Sequence, residues 1–170
     1  RLKSDQLGEL DLVWLEEPMP VDAPDEDWIS LSKCAPMSLA GGENLTAKAL
    51  EGAAELGALS VIQPDICKWG GISIGLKVAR AALDAGRIYC PHFLGGGVGL
   101  TASAHLLSAV GGSGLLEVDS SDNPFVSIFS DQGLGLTNGD FTLSNAPGLG
   151  YEPDIDMAAE YLVHKEEICL

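Results

Sequence analysis

The sequence predicts an α/β protein built as the later part of a parallel βα barrel. Short apolar runs of strand length alternate with stretches of helical periodicity, and each run ends in a residue able to do chemistry. Those end residues, Glu16, Glu43, Asp65, His92 and Glu117, follow one another at intervals of 27, 22, 27 and 25 residues. One strand, one helix and two turns occupy about that length. Strands so short and apolar fit burial on both faces of a parallel sheet. An open doubly wound sheet shares the pattern but concentrates its site at one switch point. A barrel collects polar groups from the carboxyl ends of many strands, and the barrel is favoured for that reason.

The elements run in order. Residues 1–10 read as the end of a helix, and 12–15 as a short buried strand. A helix opens after Pro24, runs over 25–34 with Trp28, Ile29 and Leu31, and is closed by Pro36. Residues 38–42 form the second strand. Thr46 then caps an Ala- and Leu-rich helix that stops near Gly57. The third strand covers 60–66. Ile72, Leu76, Ala79 and Leu83 share one helical face, and Gly86 comes next as a left-handed terminator. Residues 88–91, 99–110 and 115–118 read as strand, helix and fifth strand. Gly95, Gly96 and Gly97 fit neither nucleotide-binding fingerprint and suggest a flexible loop over the site.

Beyond Asp119 the chain turns rich in Ser, Asp, Asn, Gly and Pro, with β-like pieces at 125–129 and 141–143 and a short helix from Asp156. The expected organisation is therefore later barrel units over 1–119 and a tail over 120–170. A full barrel needs eight strands and about 250 residues, so five units lead to the expectation that further strands precede Arg1.

A net charge of −16, a pI near 4.2 and no cluster of Lys or Arg exclude a phosphate-neutralising surface, so no nucleic-acid partner is expected. An acidic chain needs a local cation to hold an acidic substrate, and a bound metal would supply one. No apolar run is long enough to span a bilayer, and no membrane partner is expected. Cys34, Cys67, Cys90 and Cys169 form no C-x-x-C pair, which suits reduced thiols in a cytoplasmic protein. A homo-oligomer is the expected assembly.

Glu16 and Glu43 end adjacent strands, where carboxylate oxygens can converge on one hard cation such as Mg²⁺. Gly41 and Gly42 before Glu43 permit backbone crowding that a merely solvated acid does not require. Asp65 beside His92 would fix the imidazole tautomer and raise its basicity, giving a general base suited to neutral pH. Lys68 could direct a cation at the site, neutralise Asp65 or hold the Gly70–Gly71 turn, and it is retained as a catalytic candidate. Glu117 could donate a hydrogen bond to substrate if burial kept it protonated. His105 and His164 read as ordinary packed or surface residues.

Taken together, Trp14-Leu-Glu-Glu-Pro18, Ala40-Gly-Gly-Glu-Asn44, Gln63-Pro-Asp65, Lys68-Trp-Gly-Gly-Ile-Ser73, Cys90-Pro-His92 and Leu116-Glu117 resemble the enolase superfamily, and within it the mandelate racemase branch. The likeness extends to Ala146-Pro-Gly-Leu-Gly150, which is similar to the segment returning to that family's α+β capping domain. The resemblance implies a modified (β/α)₇β TIM barrel that binds Mg²⁺ and takes the α-proton from a small-molecule carboxylate, giving a metal-stabilised enolate. It implies Glu16 and Glu43 as the second and third metal ligands, the Asp65–His92 dyad with His92 as base, and Glu117 as the acid facing the enolate. Relatives resembling muconate lactonising enzyme carry a lysine at the position of Asp65, so Asp65 directs the likeness to the mandelate racemase branch. The implied activity is acid-sugar dehydration, with racemisation or epimerisation and a non-catalytic barrel as alternatives. The first metal ligand and an opposite-face base are expected upstream.

Overall fold

The computed structural model describes residues 6–129 and 136–168. Four short parallel strands, β1 (Trp14–Glu16), β2 (Ser38–Gly41), β3 (Val61–Ile62) and β4 (Ile88–Tyr89), lie side by side in chain order. Each connection carries one helix: α1 (Asp25–Ser32), α2 (Ala47–Leu56) and α3 (Gly71–Asp84), with α4 (Gly97–Val110) coming after β4. The register pairs Glu16 with Ala40, Gly41 with Ile62, and Ile62 with Tyr89.

Alternation along these strands sorts their side chains onto two faces. Leu15, Leu39 and Ile62 pack with Leu50 and Ala54 of α2 and with Val78 and Ala82 of α3. Tyr89 packs with Ala79 of α3 and Leu106 of α4. Burying a side chain the size of Leu39 or Ile62 contributes about 1.5–3 kcal/mol. Trp14, Ala40, Val61, Ile88 and Cys90 form a separate cluster on the other face. The same alternation assigns Glu16 and Gln63 to that second face, which leaves it available for a site.

The helix termini obey local chemistry. Thr46 accepts from the Ala49 amide at 3.3 Å and so caps α2, which ends at Gly57 with φ of 77°. Gly86, at φ 71°, turns the chain out of α3. No helix among the described residues is long and apolar enough to cross a membrane.

Several elements differ from expectation. The first strand begins at Trp14 and is not buried: Leu12 and Val13 are exposed, because β1 has a neighbour on one side only. The third ladder spans Val61–Ile62 rather than 60–66, since Pro64 has no amide to donate. Residues 115–118 form no strand. Gly114 presses on the Tyr89 carbonyl, so closely that a β-carbon would fall 1.8 Å away, and the Leu115 amide goes to Cys90 Sγ instead of a ladder carbonyl.

Residues 125–129, read as β-like, are largely the helix α5 (Pro124–Ile128). Asn123 caps it by accepting from the Phe125 amide, Pro124 opens it, and Phe125 stacks on Phe129 with centroids 5.6 Å apart. In the tail, β5 (Leu136–Thr137) pairs antiparallel with β6 (Asp140–Phe141), to which the β-like piece at 141–143 is reduced. The helix expected from Asp156 is a 3₁₀ segment, Ile155–Tyr161. Gly96 lies against Phe125, and α4 already begins at Gly97. Near the start, Gly8–Leu10 is 3₁₀, and the first five residues of the expected helix end fall outside the described residues. Cys34, Cys67 and Cys90 are free thiols, while Cys169 lies outside the described residues.

Gly42 links the packed core to the polar strand ends. Its φ is +132°, and a β-carbon there would sit 2.6 Å from Leu50 Cδ2 and 3.3 Å from the Gln63 amide nitrogen. Gly42→Ala in the full-length protein is therefore expected to lower stability by about 1–3 kcal/mol through backbone strain and overpacking, measured by urea unfolding.

Candidate active site

Parallel pairing continues past the formal strand ends and delivers the polar residues. The Cys90 amide donates to the Ile62 carbonyl at 3.1 Å, and the His92 amide to the Pro64 carbonyl at 3.2 Å, which sets His92 beside Asp65. Both are buried, at 8% and 3% exposure. His92 Nδ1 lies 3.0 Å from Asp65 Oδ2, while Asp65 Oδ1 accepts from the amides of Cys67 at 2.8 Å and Lys68 at 3.2 Å. An ionised carboxylate only accepts, so the proton between them belongs to Nδ1. The other ring nitrogen, Nε2, donates toward Glu43 when that carboxyl is ionised and can act as a base once it has given up that proton.

That nitrogen lies 2.8 Å from Glu43 Oε2, the oxygen that also accepts from Lys68 Nζ at 2.7 Å. Glu43 Oε1 accepts from Asn44 Nδ2 at 3.1 Å, and the Glu43 carbonyl from Trp69 Nε1 at 3.2 Å. The turn after Asp65 thus grips Glu43 by side chain and backbone together. Partial burial opposes ionisation of Glu43. The hydrogen bond from Lys68, the nearby charges of His92 and Lys68, and the Asn44 bond outweigh it and hold the carboxyl below its ordinary value.

Glu16 stands apart from this cluster. Its Oε2 accepts from Gln63 Nε2 at 3.0 Å and from Trp14 Nε1 at 3.4 Å. Gln63 is 4% exposed, and its Oε1 has no hydrogen-bond partner among the described residues. Glu117 reaches the cluster indirectly, with Oε2 accepting from the Phe93 amide at 2.9 Å, one residue beyond His92. Burial pushes the Cys90 thiol up; the Leu115 amide pulls it back, and the charges of Glu117 and Glu16 push it further. Glu16 and Glu117 therefore share the surroundings of Cys90.

The structure thus brings Glu43, Asp65, Lys68 and His92 into direct contact and keeps Glu16 and Glu117 at the margin. Sequence reasoning placed Gln63, Asn44 and Trp69 within its motifs but assigned them no role. A glutamine in an apolar strand was a usable signal for the first; the other two emerge only from the fold. His105, read as ordinary, contacts the Leu149 carbonyl through Nε2 at 3.2 Å and ties the tail to α4. A cavity of about 550 Å³ lies away from the dyad, lined by Glu17, Trp28, Leu45, Ala53, Leu56 and Leu59.

Among the described residues, no group of three or more His, Cys, Asp or Glu side chains is arranged to hold a metal ion. The donors present nonetheless fit a hard divalent cation. Glu16 and Glu43 offer oxygens from neighbouring strand ends, and Mg²⁺ retains several waters, so few protein ligands suffice. The buried Gln63 Oε1 is an acceptor that meets no donor among the described residues.

Comparison with known proteins adds a family. Residues 4–157 match the model described as enolase C-terminal domain-like. The chain is 30% identical over 157 residues to D-galactarolactone cycloisomerase of Agrobacterium fabrum, covering 87% of this chain and 41% of that protein. It is 33% identical over 148 residues to L-talarate/galactarate dehydratase of Salmonella typhimurium, covering 86% and 34%. Among solved structures, a mandelate racemase/muconate lactonizing enzyme from Bordetella bronchiseptica superposes with a TM-score of 0.89 at 48% identity, covering 95% of this chain and 46% of that one. The chain therefore spans less than half the length of these relatives. Its four parallel strands belong to a TIM-barrel-type α/β fold.

The grip on Glu43 has a measurable consequence. In metal-free full-length protein, Lys68→Met removes the hydrogen bond and charge that favour the carboxylate, so the Glu43 carboxyl should titrate at higher pH than in the wild type. A carbon-detected NMR titration of the glutamate carboxyls would show the shift.

Proposed function

Because this chain belongs to the enolase C-terminal domain-like family, we propose that it carries the proton-transfer part of a site acting on a small carboxylate, a sugar acid or hydroxy acid, and that the reaction is dehydration. One observation carries this reading. The buried Asp65–His92 pair presents Nε2 to the same space as Glu43 and Lys68.

His92 removes the α-proton at Nε2, while Asp65 holds the Nδ1 proton and with it the ring's orientation. Asp65 keeps that position because its other oxygen is occupied by two backbone amides. Glu117 has one oxygen fixed by the Phe93 amide, and its remaining oxygen can share a proton with the enolate oxygen that develops next to the α-carbon. Lys68 places a cation beside Glu43 Oε2 and favours the approach of an anionic substrate. Glu16 and Glu43, with a further ligand, would hold Mg²⁺, whose positive charge would make the α-proton more acidic.

For dehydration the α C–H bond breaks first, and its proton goes to His92. The electron pair then forms the carbon–carbon double bond as the β C–O bond breaks. The proton on His92 accompanies the departing hydroxyl, so water leaves and the ring returns neutral. The likeness to L-talarate/galactarate dehydratase supports this course. A second reading, isomerisation after the same proton removal, is supported by the likeness to D-galactarolactone cycloisomerase.

Full-length protein incubated with Mg²⁺ and a panel of sugar acids in D₂O should exchange the α-proton of its substrate, monitored by proton NMR. His92→Asn should slow this exchange by about 10²–10⁴-fold. Exchange that survives the substitution would remove His92 from the role of base, and no exchange with any acid would contradict the reading.

A further inference from the structure

Glu17 adopts a conformation that its sequence position does not invite. Its φ is +39°, in the left-handed region that a β-carbon disfavours, and Pro18 comes directly after it. Its amide still pairs with the Ala40 carbonyl at 3.0 Å, so the departure begins immediately after the ladder. The conformation turns the side chain back across Gly41, where an added β-carbon would lie 3.4 Å from Glu17 Cγ. A solvated surface acid has no need of this path.

The carboxylate at the end of the path is engaged on both oxygens. Glu17 Oε1 faces the Gly42 amide at 3.5 Å, and Oε2 accepts from Asn44 Nδ2 at 3.1 Å. The same Asn44 nitrogen donates to Glu43 Oε1 at 3.1 Å. One amide group thus directs its two hydrogens to two carboxylates, one on each side of it. Glu17 touches the residues immediately before and after Glu43 and contacts neither His92 nor Lys68.

We propose that Glu17 is a positioning residue for Glu43 as a metal ligand, acting through Asn44 to fix Glu43 Oε1 so that Oε2 faces the site. The inference rests on the proposed role of Glu43 in holding Mg²⁺. It gives the adjacent pair Glu16 and Glu17 two distinct tasks: the first contributes an oxygen, and the second sets the neighbouring strand's oxygen. The strained backbone at Glu17 is what lets consecutive residues serve both.

The test separates backbone strain from the hydrogen bond. In full-length protein, Glu17→Gly relieves the positive φ while deleting the carboxylate. Its metal-free thermal midpoint should stay level or rise, while Mg²⁺ affinity, titrated calorimetrically with MgCl₂, should weaken about 10–100-fold. Asn44→Ala should weaken affinity to a similar extent, and the double variant should be no weaker than either single one, because both break one connected path. Glu17→Gln keeps an acceptor for Asn44 and should retain most of the affinity. Wild-type affinity in Glu17→Gly would overturn this inference alone. A wild-type protein that takes up no Mg²⁺ would overturn the metal reading together with it.

Discussion

The site depends on where the Glu43 carboxylate is held. One of its oxygens lies between the Lys68 ammonium and His92 Nε2, at 2.7 and 2.8 Å, and the other is fixed by Asn44. A partly buried carboxylate is stable as an anion only when donors and positive charge offset its lost hydration. Here those compensations are also the groups that chemistry would use. Glu43 is thus the junction at which proposed metal binding and proposed proton transfer meet, and a change at either side is felt by the other.

The fold supplies this junction through two devices. Alternation along short parallel strands assigns one face to helix packing and leaves the other for polar residues. Backbone pairing that runs past the strand ends then aligns Glu17 with Ala40, Gln63 with Gly41 and His92 with Pro64. Gly42 lets the chain turn sharply enough after β2 to bring Glu43 across the sheet to Lys68 and His92. Rigid ladder positions deliver the dyad, and the turn over 65–69 closes on Glu43 from outside.

Much of this was legible in the sequence because its signals were local. The βα interval, the Thr46 cap, Gly57 and Gly86 each act within a few residues, and the strand-end residues are visible as polar breaks in apolar runs. What was not legible depends on neighbours distant in sequence. The exposure of Leu12 and Val13 reflects the edge position of β1, and the missing fifth strand reflects the close approach of Gly114 to Tyr89. The helix at Pro124–Ile128 was hidden because aromatic residues favour strands until an Asn-Pro cap overrides them. The parts played by Asn44, Trp69 and Glu17 emerge only when separate strand ends are placed side by side.

Locating the metal tests the role of Glu43 most directly. Crystals of the full-length protein grown with MnCl₂ and measured near the manganese edge should show an anomalous peak shared by the carboxylates of Glu16 and Glu43, with His92 still hydrogen-bonded to Asp65. A peak elsewhere, or no peak while Glu43 stays clasped by Lys68 and His92, would contradict it.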